Sequence, residues 1–140
     1  MVGKITKKAD RSAIMRAVKS KNTAPEIQVR SALHKRGFRF RLHNQKLAGK
    51  PDITLPRYKT VIRVMGCFWH GHKCQRGDRI PKTNTAYWIA KIQRNVQRDK
   101  IQKQALRANG WRVIDLWECG LKRKNWLDRL IHQIEARPRR

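Results

Sequence analysis

Acids are scarce in this chain. Of 140 residues only nine are Asp or Glu, against 35 Lys and Arg, giving a formal net charge of +26. A chain so unbalanced repels itself unless a polyanion screens it, and solubility alone does not call for such an excess. Cysteine is scarce too. Three cysteines, an odd number, exclude a closed disulfide framework and point to a reducing compartment, with the cytoplasm as the expected location. No apolar run approaches the roughly 18 residues of a membrane span. The first residues, MVGKITKKADRS, are basic without an apolar stretch and do not read as a secretory signal. No internal repeat and no second domain stand out.

What is present suits one domain with a packed core, since 39% of residues are hydrophobic. The basic residues run the whole length instead of lining one amphipathic helix. That favours nucleic acid over an acidic membrane surface, through phosphate contacts and counterion release. Residues 1–21 hold seven Lys/Arg and read as a basic arm, with Ala13–Val18 a candidate short helix; residues 22–140 read as a single domain.

Along that domain, TAPE (23–26) starts a helix. Thr23 is an N-cap, Pro25 suits the first turn, Glu26 stands at capping-box spacing, and Gly37 ends the helix. FRFRLH (38–43), PDITL (51–55) and TVIRVMGCFW (60–69) read as three strands. Residues 75–84 read as a basic loop. A long helix follows from about Thr85 to Ala108, with Ile89, Ile92, Val96 and Leu106 on one stripe and Asp99 on that same stripe. WRVIDLWEC (111–119) is a fourth strand, and Trp126, Leu127, Leu130, Ile131 and Ile134 mark a last helix. The order α-β-β-β-α-β-α predicts an α/β fold with a mixed central sheet flanked by helices.

GCFWHGHKC (66–74) concentrates the chemistry. Cys67, His72 and Cys74 are three donors at zinc-like spacing, one short of a tetrahedral set. Cys119 is the only other cysteine. It completes a closed, structural Cys3His site if the last strand neighbours the third. The alternative is that Cys67 and Cys119 are small core residues. His70 is left over, as a surface side chain or a catalytic group.

Among the few acids, Asp52 in GKPD starts a strand. There it either holds a hard cation, as in the PD-(D/E)xK nuclease arrangement, or closes a turn. Glu26 has the helix cap as its plain explanation and serves a site as well if the helix start faces one. Asp99 on an apolar stripe needs a partner if buried, and a histidine such as His70 would supply it. Asp10, Asp78, Asp128, Glu135, His34, His43 and His132 read as surface residues, and Asp115 and Glu118 receive no role. Of five tryptophans, Trp111, Trp117 and Trp126 suit the core. Phe68, Trp69 and Trp88 either wedge between base pairs or pack beneath the metal-binding loop.

The segments MRA (15–17), TAPE, GKPD, GCFWHGHKC, NVQRD (95–99) and GWRVIDLWEC (110–119), in this order, resemble the very short patch repair (Vsr) DNA mismatch endonucleases from about Arg11 to Leu121. The resemblance implies a restriction-endonuclease-like fold. It implies an enzyme that nicks one strand of duplex DNA 5′ to the thymine of a T:G mismatch with Mg²⁺, working as a monomer with mismatch-repair factors as further partners. It implies Asp52 and the backbone carbonyl of Val64 as Mg²⁺ ligands and His70 as general base, with Glu26 and Asp99 in support. It implies structural Zn²⁺ on Cys67, His72, Cys74 and Cys119, wedge aromatics at Phe68, Trp69 and Trp88, and a basic arm around the duplex. Where the family usually has a Thr-His pair before GCFWH, this chain has Val64-Met65. The rival readings are a nuclease of the same fold with other DNA specificity, and a zinc-stapled nucleic-acid-binding module without catalysis.

Overall fold

The computed structural model describes residues 23–74 and 80–136. The expected N-terminal arm, the MRA segment, Asp10, Asp78 and the basic tail after Ala136 lie outside them. Among the described residues, seven α-helices and strands follow one another, with short 3-10 turns at Pro56–Tyr58 and Glu118–Lys122: α1 (Ala24–Lys35), β1 (Arg41–Leu42), β2 (Ile53–Leu55), β3 (Thr60–Met65), α2 (Thr85–Ala108), β4 (Arg112–Trp117) and α3 (Trp126–Glu135). The order matches the sequence-based expectation. The strands form one sheet, β1-β2-β3-β4. β1–β2 and β2–β3 pair antiparallel, while β3–β4 pair parallel with α2 as the crossover.

Side-chain alternation sorts the sheet into two faces. Ile53, Leu55, Ile62 and Ile114 pack with Val29 and Leu33 of α1 and Leu130 and Ile134 of α3, all buried. On the other face Val61 and Val113 pack with Leu106 of α2. The parallel register places Arg63 beside Asp115 on that α2 face. Arg63 donates to both Asp115 carboxylate oxygens, at 2.7 and 3.0 Å, and to the backbone carbonyl of Asp99 at 3.1 Å. Lys103 adds a contact at 3.4 Å. Burial pushes the Asp115 carboxyl up, but the Arg63 hydrogen bonds and charge, with help from Lys103, hold it below its ordinary value. Asp115, given no role from sequence, thus ties the sheet to α2.

The first three strands are shorter than the sequence pattern predicts. Gly37, at φ 85°, closes α1 in the left-handed region, and Phe38 N–H turns back to Leu33 C=O at 3.1 Å. Phe38 is therefore held by the helix end, and pairing starts only at Arg41. β2 begins at Ile53, not Pro51. β3 stops at Met65, and residues 66–71 turn, with His70 N–H bonded to Gly66 C=O and Gly71 N–H to Phe68 C=O. On α2, Ile89 is 40% exposed instead of buried, and Trp88, at 2%, takes the inward position beside Ile92. Among the described residues no helix is long and apolar enough to cross a membrane.

Candidate active site and metal centre

The parallel pairing of β3 with β4 brings both C-terminal ends to one edge of the sheet. Cys67 follows β3 and Cys119 follows β4, so residues far apart in sequence meet there. The donor atoms of Cys67, His72, Cys74 and Cys119 all lie within 4.8 Å of one another. Cys119 Sγ is 3.6 Å from His72 Nδ1, and a tetrahedral zinc would set such a sulfur–nitrogen edge at about 3.6 Å. Cys119 N–H donates to Cys67 Sγ at 3.4 Å. The His72 ring stacks on Trp117, with centroids 4.1 Å apart and planes 11° apart, which fixes its direction. Burial, together with thiol contacts to Cys119 and Cys74, pushes the Cys67 thiol up to about 12. A bound dication reverses that preference, because its charge favours the thiolate. Donor types and spacing therefore fit a closed four-ligand metal site.

A second cluster forms where the starts of α1 and β2 meet the end of β1. Glu26, His43 and Asp52 each offer a donor atom, all within 4.8 Å. Thr23 caps α1 by accepting from Glu26 N–H at 3.4 Å, and the Glu26 side chain then points inward, 2% exposed. Its Oε2 lies 2.5 Å from His43 Nε2 and 3.5 Å from Arg30 Nη1. Glu26 thus combines a helix-start position with a place in the cluster. The hairpin pairs Leu42 with Ile53 and sets His43 opposite Asp52, whose backbone carbonyl accepts His43 N–H at 3.1 Å. His43 was expected on the surface. Its side chain is in fact only 21% exposed, because φ of 47° at the strand end turns the ring toward Glu26.

Asp52 Oδ2 accepts the Val64 N–H at 2.7 Å. In extended chain a residue's N–H and C=O point to the same side, so the Val64 carbonyl faces the same side of β3, beyond the end of β2. Burial raises the Asp52 carboxyl from 3.8 to about 6. The Val64 hydrogen bond opposes this, Glu26 adds to it, and the nearby His43 and His70 draw it down. A buried carboxylate with a second one beside it is a charge arrangement that a cation relieves, so the residues fit a divalent ion.

His70 completes the site from the 66–71 turn. Its Nδ1 lies 2.5 Å from Asp99 Oδ2 on α2, both half-buried. With the Nδ1 proton directed at Asp99, Nε2 presents its lone pair. One helical turn earlier, Asn95 donates from Nδ2 to the Trp69 carbonyl at 2.9 Å. Gly71 lets the turn sit this close. Its φ is 61°, and a Cβ there would meet Ile92 Cγ2 at 3.0 Å and Val96 Cγ2 at 3.1 Å. Sequence reasoning missed Asn95, although its i, i+4 relation to Asp99 placed it on the same face. Phe68, Trp69 and Trp88 form one aromatic cluster, with centroids 5.3 to 6.0 Å apart. Phe68 and Trp69 are half-buried, whereas Trp88, on α2, is 2% exposed and packs against both rings. Trp88 thus stands behind the other two rings in the DNA-free protein.

A carboxylate cluster and a carboxylate-held imidazole close enough to influence its charge, on a strongly basic α/β domain, suit a nuclease. Comparison with known proteins agrees. A family model described as DNA mismatch endonuclease Vsr matches residues 4–76. A type II nicking enzyme of Neisseria meningitidis, V.NmeAIP, is 45% identical over 129 residues, covering 89% of this chain and 91% of the relative. V.XorIIP of Xanthomonas oryzae is 47% identical over 124 residues, covering 89% and 90%. The DNA mismatch endonuclease Vsr of Escherichia coli is 42% identical over 115 residues, covering 82% and 73%. The chain belongs to the Vsr DNA mismatch endonuclease family, and it is an endonuclease.

Proposed function

We propose that this endonuclease nicks one strand of duplex DNA 5′ to the thymine of a T:G mismatch, on a restriction-endonuclease-like scaffold. The observation that carries the reading is the His70–Asp99 pair set beside Asp52. Its charge is close enough to act on the Asp52 carboxyl. Asp52 and the Val64 carbonyl would hold Mg²⁺, which when bound neutralises charge on the scissile phosphate and stabilises the leaving oxygen. His70 Nε2 takes a proton from the attacking water, while Asp99 keeps the Nδ1 proton in place and stabilises the imidazolium. Glu26 supports this network from the α1 side.

Zinc is the proposed occupant of the Cys67, His72, Cys74 and Cys119 site, where it holds the 66–74 segment at fixed spacing. Phe68 and Trp69 would enter the base stack at the mismatch, where unstacking costs least, with Trp88 as their support. The basic segment 1–21 would clasp the duplex outside a single domain from residue 22 onward. A monomer in the cytoplasm, working with mismatch-repair factors, completes the reading.

The test is a nicking assay with Mg²⁺ on T:G duplex, matched duplex and single strand, using wild type, Asp52→Ala and His70→Ala. One-strand cutting of T:G duplex alone, abolished in both variants, is expected. Equal cutting of matched duplex would remove the mismatch specificity and leave the nuclease. Undiminished cutting by either variant would sink its assigned role.

A further inference from the structure

The Asp52 site contains a donor that the proposed reaction does not use. We propose that His43 Nε2 is a metal ligand, and that Glu26, His43 and Asp52 together bind a divalent first-row transition ion, Mn²⁺ foremost, in preference to Mg²⁺. This rests on the reading of Asp52 as a cation ligand and adds to it the nature of the cation.

Geometry comes first. The three donor atoms lie within 4.8 Å of one another. Octahedral ligands at about 2.1–2.2 Å stand roughly 3 to 4.4 Å apart, so the site forms when the 2.5 Å contact between His43 Nε2 and Glu26 Oε2 opens by about half an ångström and any wider separation closes slightly. The three residues come from three segments that other contacts already fix. Glu26 is set by the helix cap at Thr23. Asp52 is set by the Val64 N–H. His43 is set by its N–H bond to the Asp52 carbonyl and its left-handed backbone. The ring is thus aimed into the cluster by covalent geometry as well as by the Glu26 contact.

Donor chemistry comes second. Mg²⁺ takes oxygen ligands and sheds water reluctantly, whereas an imidazole suits Mn²⁺ and the later first-row ions. A purely oxygen site would have no reason to admit His43. The 2.5 Å contact between His43 Nε2 and Glu26 Oε2 holds the two donors side by side in the metal-free protein. A dication set between them would keep both donors engaged. The three thiolate donors elsewhere keep zinc to its own site, since soft ligands select it.

The test uses zinc-replete full-length protein and Mn²⁺ alone as probe. Binding is followed by loss of the free-ion paramagnetic resonance signal, and nitrogen coordination by electron spin-echo modulation. Wild type should bind Mn²⁺ more tightly than Mg²⁺ in competition and show nitrogen coupling, which His70→Ala should retain. His43→Gln, which keeps a donor for Glu26, should lose the coupling. It should weaken Mn²⁺ binding by at least the ~10–100-fold that loss of even a supporting partner costs. Its ratio of Mn²⁺- to Mg²⁺-supported nicking should fall with it. Wild type without nitrogen coupling, or His43→Gln with unchanged Mn²⁺ affinity, overturns the proposal. Asp52→Asn separates the two levels. If it abolishes Mn²⁺ binding while His43→Gln does not, Asp52 remains a cation ligand and only the role of His43 is lost. If Asp52→Asn also leaves binding intact, the reading of Asp52 fails as well.

Discussion

Replacing Asp52 by asparagine should stabilise the metal-free fold while ending cation-dependent cutting. The Asp52 carboxyl is raised from 3.8 to about 6, burial first and the Glu26 charge behind it. A raised folded value means that the unfolded chain releases its proton first as pH climbs. Stability is therefore lost between about pH 4 and pH 6, and the deficit stays in full above that window. The gap of about two pH units corresponds to about 3 kcal/mol at about pH 8, and about half of that at about pH 5. Partial water contact screens the charge, so these figures are ceilings. Asparagine keeps an oxygen for the Val64 N–H, which now binds Asp52 Oδ2 at 2.7 Å, and removes the charge. Urea denaturation followed by tryptophan fluorescence, on zinc-replete protein without Mg²⁺, reads the difference. The Asp52→Asn protein should be the more stable at about pH 8, by a margin that shrinks toward about pH 5. Added Mg²⁺ should narrow the margin, because it stabilises only the protein that binds it. A margin that ignores pH, or a less stable variant at about pH 8, would refute the burial argument.

Asp99→Asn removes the carboxylate that fixes the His70 tautomer, and single-turnover nicking should slow by about 10²–10⁴-fold with DNA affinity little changed. A slowing below about tenfold would contradict the assigned pairing. Cys119→Ala should bring zinc content by metal analysis from about one equivalent to near zero and lower the thermal midpoint. A full equivalent retained would remove Cys119 from the ligand set. Arg63→Ala leaves Asp115 buried with only Lys103 and should cost about 3–5 kcal/mol near neutral pH. Because Asp115 is held below its ordinary value, the pair's stabilisation is present above about pH 4 and lost as pH falls further. The gap between wild type and Arg63→Ala in urea should therefore close in acid, and a constant gap would count against this account.

Much of this was legible because local physics and tertiary structure agree. The helix starting at Ala24 announced itself through Thr23, Pro25 and Glu26, and the Cys67, His72, Cys74 and Cys119 cluster through spacing plus one distant cysteine. The strands were overdrawn because alternation reports which faces are buried, whereas pairing depends on neighbours. Phe38 alternates correctly yet belongs to the end of α1. Ile89 was misplaced because a stripe drawn through it rotates the helix by one residue, and Trp88 takes the inward position. His43 was invisible for a stronger reason. Nothing within its own segment distinguishes it from a surface histidine, and only the hairpin register that sets it opposite Asp52 brings it to Glu26. Arg63 and Asp115 likewise met through the parallel register, which alternation alone does not specify.

The parallel seam between β3 and β4 carries one more consequence. Cys67 and Cys119 lie 52 positions apart, and all of α2 falls between them. A metal joining them makes the crossover a closed ring whose circumference includes Asn95 and Asp99. Cross-linking a ring of that length removes about 4 kcal/mol of chain entropy from the unfolded state. That restraint falls on the segment that aims His70, more than on the core beneath α1 and α3. Opening the ring should loosen the pairing of His70 with Asp99 before the sheet melts, giving a protein still folded around α1 and α3 whose His70 ring no longer points anywhere in particular. Hydrogen exchange would then quicken first along α2.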